Sequence, residues 1–508
     1  MQEFIEQMAD KRGYFGTIPA RPIPLYAEKK QQLRNFDFIL TWDECMKLRE
    51  DPRVMGTRWG TKKEVYGNPV PCALEPERLY ARSKSQNSYH FNWAFPECTA
   101  EESRFPDGVG PIAFRHSYSL TGKGVDVVIQ DTGIMWNHCE WEELESNETR
   151  LRDINWPQIA GFDYDLPNGW WEDYSGHGTH VAGTTAGKYL GWAKEAHIYN
   201  MKILRGTSAA PEMNTDHSVT QIKVWHQRKN DPNDPLWTGQ YRPTIVNMSW
   251  GWIDSQPRSG YIKWRDEPEE WFEGLYPEKG IAWYGNNQGG GASFWANMED
   301  AVDVGVVFVG AAGNDRRYIS VPGHPDYDNY VSGRQNSSEW NRKYYTRPAS
   351  PSGVPGVVCV GAIDVGPEQW KCIFSNTGPR IDVWAPGSGI QSAIPRSSDI
   401  GSRGSVRHPI NPDDWIIKIE GTSMASPEVC GVVATVLELH PEFTSEDARQ
   451  WVQANAVEGR LYAGDSGNVQ NDYGDFRSQV GSENLYLNTP FRRSETMKMS
   501  GQLKFYPG

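Results

Sequence analysis

The chain of 508 residues contains no apolar stretch long enough to cross a bilayer. A spanning helix needs about 18 or more apolar residues in a row, so we predict no membrane span. Residues 1–30 also lack the apolar core of a secretory signal. Positive charge is in deficit, because 51 Lys and Arg against 65 Asp and Glu give a net charge of −14. Nucleic-acid binding favours a basic face, so we predict no nucleic-acid partner.

Cysteine is scarce as well. The chain has seven cysteines, an odd and scattered set. Cys359, Cys372 and Cys430 lie in apolar segments, which is typical of buried thiols and not of a disulfide framework. The cysteine pattern therefore indicates a reducing compartment, and we expect the protein to be cytoplasmic at synthesis.

What the chain does contain is a serine between a glycine turn and an apolar helix. Residues 421–427 read GTSMASP, and an apolar run follows from residue 429 to residue 437. Pro427 is tolerated only in the first turn of such a helix, which would place Ser423 at its N-terminus. There the helix dipole and free N–H groups favour the negative charge that develops when a hydroxyl attacks a carbonyl. The pattern predicts a serine nucleophile, and an ordinary helix cap is the alternative.

A serine nucleophile requires a base and a group that orients the base. Asp131 ends the apolar stretch 125–130, and the carboxyl ends of parallel strands are where open α/β sheets carry their chemistry. His177 lies between glycines in SGHGTHVAG, residues 175–183, on a tight turn before a small-residue helix. Taken singly, these two motifs also fit a strand-end turn and a loop histidine.

The three segments, in the order Asp, His, Ser, resemble the subtilisin-like serine proteases. The resemblance covers about two-thirds of the chain, residues 122–457. It implies a three-layer α/β fold with a mostly parallel central sheet, and a serine endopeptidase that acts through an acyl-enzyme. In that family Ser423 would be the nucleophile, His177 the general base and then acid, and Asp131 the carboxylate that orients the imidazole. Within the family, the chain most resembles the proteinase K branch and subtilases encoded by tailed bacteriophages.

A fourth segment, residues 305–315, resembles the strand and oxyanion-hole loop of the family. Asn314 would donate its side-chain amide to the oxyanion beside the backbone N–H of Ser423. Residues 244–251 resemble the edge segment that pairs with an extended peptide substrate. We expect two facing walls of the main substrate pocket: Ser249, Trp250 and Gly251 on one side, and Ala311, Ala312 and Gly313 on the other.

Three features depart from the family pattern. Trp250 stands where a smaller aliphatic residue is usual, and it would either reshape a subsite or pack in the core. The segment 252–297 is longer than its counterpart in the family pattern, which predicts an elaborated rim over the substrate cleft. Glu428, five residues after Ser423, replaces the usual histidine. We expect a surface substitution there; the alternative is an inward carboxylate that competes for His177.

No cofactor is expected for the chemistry itself, and calcium is left open. Glu140 matches a ligand of the tight calcium site of the family, but residues 184–193 are too short for the loop that completes that site. We therefore expect it to be absent. Asp382 matches a ligand of a second, weak calcium site. Calcium takes about six to eight oxygens, so one carboxylate is slight support, and a solvated strand residue is an equal alternative.

The resemblance and the composition together predict four regions. Residues 1–68 form a small α+β N-terminal module that resembles a propeptide or serves as a docking unit, and residues 69–120 form a linker. Residues 121–457 form the protease domain, and residues 458–508 form an extended polar tail. The predicted partner is a polypeptide substrate, which includes the N-terminal module itself or structural proteins of an assembly such as a virion. The alternative function is a structural or binding component that keeps the fold without turnover.

Overall fold

The structure, a computed structural model, describes residues 92–99 and 113–497 together with the short strands at 70–71, 81–82 and 110–111. Residues 163–164, 205–212, 214, 256–258, 275, 277–278, 280, 282–285, 289–291, 334–341, 366–368, 463–478 and 480 lie outside the described set. The predicted N-terminal module, residues 1–68, and most of the predicted linker also lie outside the described residues.

Strands and helices of the described part are numbered separately along the chain. The strands are β1 (Val70–Pro71), β2 (Ala81–Arg82), β3 (Gly110–Pro111), β4 (Ala113–Tyr118), β5 (Asp126–Asp131), β6 (Leu151–Arg152), β7 (His197–Lys202), β8 (Thr244–Met248), β9 (Ile253–Ser255), β10 (Ser259–Lys263), β11 (Glu270–Glu273), β12 (Asn286–Gln288), β13 (Val307–Ala311), β14 (Tyr330–Ser332), β15 (Arg342–Tyr344), β16 (Val357–Ile363), β17 (Val383–Pro386), β18 (Ile390–Ala393), β19 (Val406–Arg407), β20 (Trp415–Ile419), β21 (Val457–Glu458), β22 (Leu485–Tyr486) and β23 (Arg492–Met497). The helices are α1 (Ala94–Glu97), α2 (Trp156–Ile159), α3 (His177–Ala186), α4 (Thr215–Lys229), α5 (Ala292–Asp303), α6 (Thr422–Leu439) and α7 (Ser445–Asn455).

A nine-stranded sheet forms the centre of the fold, in the order β21-β22-β17-β16-β13-β8-β5-β7-β6. Every neighbouring pair in it is parallel except β21 and β22. Strands such as β16, with the sequence VVCVGAI, are buried along their whole length. Such continuous apolar runs are typical of parallel strands covered on both faces.

Alternate residues of the central strands face two different hydrophobic cores. Val127 and Ile129 of β5 pack in a core shared with helices α3 and α6, whereas Val128 packs in a core shared with α4 and α5. On β13, Val309 packs in the first of these cores and Phe308 in the second. The sheet therefore lies between two helical layers, and the predicted three-layer α/β fold is confirmed.

The strand order reverses at β5. Strand β7 pairs with β5 on one side, and β8, the next strand along the chain, pairs with β5 on the other side. In open α/β sheets such a switch opens a crevice at the carboxyl ends of the strands, where ligands bind. Asp131 ends β5 and Ser249 follows β8, so both lie at this crevice.

The segment predicted as a rim, residues 252–297, contributes strands to sheets of its own. Strands β10 and β11 pair antiparallel and continue through β14 and β15 into a four-stranded sheet. A small separate core lies beneath it and contains Ile262, Trp264, Phe272, Val331 and Tyr345. The insertion is thus a folded element and not a bare loop.

Parts of the predicted linker and tail belong to the folded body. Trp93 and Phe95, in and beside α1, pack in the main core. Strand β22 pairs with β17 at the edge of the central sheet, and β23 pairs with β4 over residues 492–497. The described end of the chain therefore differs from the extended tail expected, because its apolar residues Leu485, Tyr486 and Leu487 are buried.

The described cysteines are all unpaired. Cys98, Cys139, Cys359, Cys372 and Cys430 are free and buried, as predicted for thiols without a disulfide framework. None of the helices in the described residues is long and apolar enough to cross a membrane.

Candidate active site

Asp131 and His177 are brought together by glycines that permit a close approach between two turns. His177 is the first residue of α3, and Gly176 before it has φ of 89°. A side chain at Gly176 would also meet Ser398 Oγ at 2.4 Å. A Cβ at Gly178 would lie 2.2 Å from the carbonyl oxygen of Gly133, in the turn after Asp131. Glycine is therefore required where the histidine turn lies against the end of β5.

The imidazole of His177 is oriented by a buried carboxylate. His177 Nδ1 lies 2.7 Å from Asp131 Oδ1, and Asp131 is fully buried. Because a carboxylate accepts, Nδ1 carries the proton and Nε2 is left with its lone pair. Burial lowers the pKa of His177, but the charge and hydrogen bond of Asp131, together with the charge of Asp173, raise it above its ordinary value.

Asp173 was not identified from the sequence. Its Oδ1 accepts from Thr132 Oγ1 at 2.8 Å and from Gly176 N at 2.7 Å. Its Oδ2 accepts from the backbone N and the hydroxyl of Thr179. One buried carboxylate thus links the turn after Asp131 to the turn that carries His177. Its position four residues before His177, beside a glycine turn, was the available signal.

Ser423 is the second residue of α6, close to the helix N-terminus as expected. The helix begins at Thr422, so Pro427 lies in the second turn; the prediction that it lies in the first turn was wrong. A proline at this position removes the N–H that would bond to the carbonyl oxygen of Ser423. Ser249 Oγ supplies the missing donor to that oxygen at 2.8 Å. The helix therefore tolerates Pro427 because a neighbouring strand end satisfies the freed carbonyl.

The hydroxyl of Ser423 donates to the carbonyl oxygen of Ser249 at 3.1 Å. No hydrogen bond joins it to His177 among the described residues. The structure thus places the Asp131–His177 pair and Ser423 at the same crevice without closing the serine–histidine contact. Catalytic hydrogen bonds are often long or absent in ligand-free sites and form with substrate.

Asn314 and the backbone of Ser423 supply two donors on the same side of Gly421. Asn314 Oδ1 accepts from Thr422 N and Thr422 Oγ1, each at 2.9 Å. This fixes the orientation of the amide and leaves Nδ2 as its outward donor. A Cβ at Gly421 would lie 3.5 Å from both Asn314 Nδ2 and Ser423 N. Two N–H donors that converge beside a serine hydroxyl form the geometry of an oxyanion hole.

The two predicted pocket walls follow neighbouring parallel strands. Ser249, Trp250 and Gly251 follow β8. Strand β13, which pairs with β8, ends at Ala311 and is followed by Ala312 and Gly313. Gly313 N donates to Thr422 Oγ1 at 3.2 Å, which ties the second wall to the nucleophile helix. Trp250 packs against Trp252 and Phe294 in the second core, with its ring nitrogen 3.2 Å from Gln130 Oε1. Trp250 therefore packs against the core, which is the second of the two alternatives predicted for it.

Glu428 is not a surface substitution, and that expectation was wrong. Its carboxylate is fully buried and accepts from Asn92 Nδ2 at 2.6 Å and from the indole N–H of Trp192. No hydrogen bond from Glu428 to His177 is found in the described residues. The carboxylate instead fixes the segment that contains Asn92 to helix α6.

Both carboxylates considered for calcium have protein partners. Glu140 Oε1 lies 3.0 Å from His408 Nε2, and its Oε2 accepts from the backbone N of Tyr189 and Leu190. Asp382 Oδ2 accepts from Arg380 Nη1 at 2.6 Å, and Arg380 also donates to the carbonyl of Val357. The guanidinium of Arg380 therefore bridges the Asp382 carboxylate and a neighbouring backbone carbonyl. The partners of Asp382 do not favour the weak calcium site considered there, and neither that site nor the expected absence of the tight site at Glu140 is tested by the structure, so both stay predictions.

Comparison with known proteins gives the family of the chain. A profile of the Subtilase family, the peptidase S8 family, matches residues 122–480. The chain belongs to the Subtilase family. The match includes all four segments on which the sequence resemblance was based.

Among individual subtilases, Subtilisin-like protease 8 of Arthroderma benhamiae is 28% identical over 326 residues, covering 64% of this chain and 47% of that protein. Subtilisin-like serine protease Pen c 2 of Penicillium citrinum is 27% identical over 427 residues, covering 81% of this chain and 70% of that protein. A solved structure of a cold-adapted subtilisin-like serine proteinase is 21% identical, with a TM-score of 0.46, covering 78% of this chain and 97% of that one. The chain spans about half the length of the first of these relatives.

Proposed function

We propose that the protein is a serine endopeptidase that hydrolyses peptide bonds through an acyl-enzyme. The observation that carries the proposal is the convergence at one crevice of an oriented imidazole, a serine hydroxyl at a helix N-terminus and two N–H donors. The imidazole is oriented by the 2.7 Å contact between Asp131 and His177. The donors, Asn314 Nδ2 and Ser423 N, face the same point beside Gly421. Acyl transfer is the chemistry that uses all of these groups together.

In the proposed reaction an extended peptide lies against the strand end at Ser249, which resembles strand addition. Ser423 Oγ leaves the carbonyl of Ser249, gives its proton to His177 Nε2 and bonds to the substrate carbonyl carbon. The oxyanion that forms accepts hydrogen bonds from Asn314 and from the backbone N–H of Ser423. The C–N bond then breaks, and the leaving amine takes the proton from His177. Water repeats the sequence to release the acyl group as a carboxylic acid.

A protein-digestion assay tests the proposal. The full chain should digest unfolded casein, whereas Ser423→Ala and His177→Ala should not digest it above background. Circular dichroism of each variant shows whether the fold is kept. A wild-type chain that is folded but leaves casein intact would support the alternative of a structural or binding component without turnover.

We further propose that the chain is made in the cytoplasm and acts on itself or on structural proteins of an assembly, such as a virion. Support for a reducing compartment comes from the five free, buried cysteines. Support for a cut before residue 92 comes from the firm attachment of the segment 92–99: Asn92 donates to Glu428, and Glu97 pairs with Arg460. Wild-type chain that loses an N-terminal fragment ending before residue 92, when Ser423→Ala keeps it, would support self-processing. A wild-type chain that retains residue 1 and digests casein would contradict it.

A further inference from the structure

A second cluster of reactive side chains lies where the turn after β5 meets the hairpin of β19 and β20. Cys139 Sγ lies 3.5 Å from His408 Nδ1 and 4.0 Å from His138 Nδ1. Donor atoms of His138, Cys139 and Asp414 all lie within 4.8 Å of one another. All four side chains are buried, and none has a role in the proposed peptidase reaction.

Both histidines are held in the tautomer that a metal ligand requires. His138 Nε2 lies 3.0 Å from the carbonyl oxygen of Trp415, so Nε2 carries the proton. His408 Nε2 lies 3.0 Å from Glu140 Oε1. Because a carboxylate oxygen accepts, this Nε2 also carries the proton. Each Nδ1 therefore carries the lone pair and lies within 4.0 Å of Cys139 Sγ. Metal-binding histidines characteristically donate their other ring N–H to a carboxylate or a backbone carbonyl in this way.

The two sulfur-to-nitrogen distances at Cys139 fit tetrahedral zinc. Zinc bonds of about 2.3 Å to sulfur and about 2.0–2.1 Å to nitrogen place the two ligand atoms roughly 3.6 Å apart at a tetrahedral angle. The two measured Sγ to Nδ1 distances, 3.5 and 4.0 Å, lie on either side of this value. Backbone N–H groups also reach the two Nδ1 atoms at 3.2–3.3 Å, the long end of the hydrogen-bond range, and a metal bond would replace these contacts.

Charge favours a divalent ion at this position. A zinc ion with one thiolate, one carboxylate and two neutral imidazoles gives a site of zero net charge, which a buried environment accepts most readily. The Cys139 thiol would release its proton to solvent as the Zn–S bond forms.

We propose that His138, Cys139, His408 and Asp414 bind one zinc ion in a structural site. Asp414 already accepts from the backbone N of Cys139 at 2.9 Å and from Asn411 Nδ2 at 2.8 Å. The site ties the turn that follows Asp131 to β20, the strand that leads into the nucleophile helix. It thereby fixes two of the segments that carry active-site residues, and the ion takes no part in peptide hydrolysis.

The test uses the full-length chain in a Ser423→Ala background, which removes autolysis as a cause of any loss. We expect about one zinc per chain by elemental analysis after purification with zinc, and a thermal midpoint that falls after chelation and recovers on adding zinc. Replacing zinc with cobalt should give visible ligand-field bands and a thiolate-to-cobalt charge-transfer band. Cys139→Ser should abolish the charge-transfer band, and His408→Ala should lower the bound metal below half.

Matched controls are Cys359→Ser, another buried thiol, and His440→Ala, another buried histidine. Both should keep full metal content and the cobalt spectrum. Folded Ser423→Ala protein with the cluster unchanged that binds no zinc or cobalt would overturn the proposal and leave a metal-free hydrogen-bonded cluster. Cobalt binding without a thiolate band, or a band that survives in Cys139→Ser, would overturn it equally. The first measurement requires no variant in the cluster, so a misfolded variant cannot conceal the result.

Discussion

Ser249 and Ser423 exchange two hydrogen bonds: the hydroxyl of Ser249 donates to the carbonyl of Ser423 at 2.8 Å, and the hydroxyl of Ser423 donates to the carbonyl of Ser249 at 3.1 Å. The first bond exists because Pro427 has no N–H for that carbonyl. The strand end that is proposed to hold the substrate therefore also positions the proposed nucleophile.

A double-mutant cycle tests whether the hydrogen bond from the Ser249 hydroxyl compensates for the N–H that Pro427 lacks. Ser249→Ala should lower the free energy of unfolding by about 1–3 kcal/mol, because the Ser423 carbonyl and the Asn247 amide each lose a buried partner. The loss should shrink in a Pro427→Ala background, where residue 427 regains an N–H for the same carbonyl. Denaturant unfolding in the Ser423→Ala background measures all four corners, with exposed Ser402→Ala as the control. Equal losses in both backgrounds would contradict the account.

Asn314 should act on the transition state and not on substrate binding. Asn314→Ala is expected to lower kcat about 100- to 1,000-fold with little change in KM, because its Nδ2 would donate to the developing oxyanion and not to the bound substrate. Asn314→Asp keeps an acceptor for Thr422 and replaces the donor with a negative charge, so its kcat should be lower still. A change confined to KM in either variant would exclude the oxyanion role.

The pH dependence of kcat/KM should report His177. The reaction needs a neutral imidazole, and the pKa of His177 is raised above its ordinary 6.5. Activity should therefore be lost as pH falls, with a midpoint above 6.5. The same shift stabilises the fold fully below the unfolded pKa, and this contribution is lost as pH rises through the folded pKa. Asp173→Asn should move the acid midpoint to lower pH, because the charge of Asp173 raises the pKa; an unchanged midpoint would contradict this.

Glu428 should be a stability residue. Glu428→Ala leaves Asn92 Nδ2 and the Trp192 indole N–H buried without this acceptor, at a cost of about 3 kcal/mol in the free energy of unfolding. The side chain of Glu442 is 70% exposed, so Glu442→Ala should change the free energy of unfolding by less than about 0.5 kcal/mol. Urea unfolding of both variants makes the comparison. Similar changes in the free energy of unfolding for the two variants would show that the buried contacts of Glu428 contribute nothing to stability.

The sequence predicted the parts of the site that local motifs encode. Asp131 and His177 follow strand and glycine-turn signals within a few residues of themselves, whereas Asn314 and the three-layer fold were predicted from the resemblance to the subtilisin-like proteases. Glu428 was misjudged because its partner Asn92 lies 336 residues away. The Cys139 cluster depends in the same way on His408, 269 residues distant. Such contacts arise only from tertiary packing, which spacing along the chain does not contain.

The described part of the predicted tail differs from the prediction for a related reason. Strand β22 has only two residues, Leu485 and Tyr486, within a polar stretch. So short an apolar pair gives no periodic signal, and its burial comes from pairing with β17. Pro427 was likewise predicted in the first helical turn, because the donor that compensates for it, Ser249, follows strand β8 and is distant in the sequence.

Covalent labelling of Ser423 tests the central claim most directly. A fluorophosphonate probe reacts with a serine only where a base and an oxyanion hole activate it, so folded wild-type chain should gain one adduct, mapped by peptide mass to Ser423. Ser423→Ala should gain none, and Asn314→Ala should label more slowly. No adduct on folded wild-type protein, or an adduct at another serine that persists in Ser423→Ala, would contradict the assignment of Ser423 as the nucleophile.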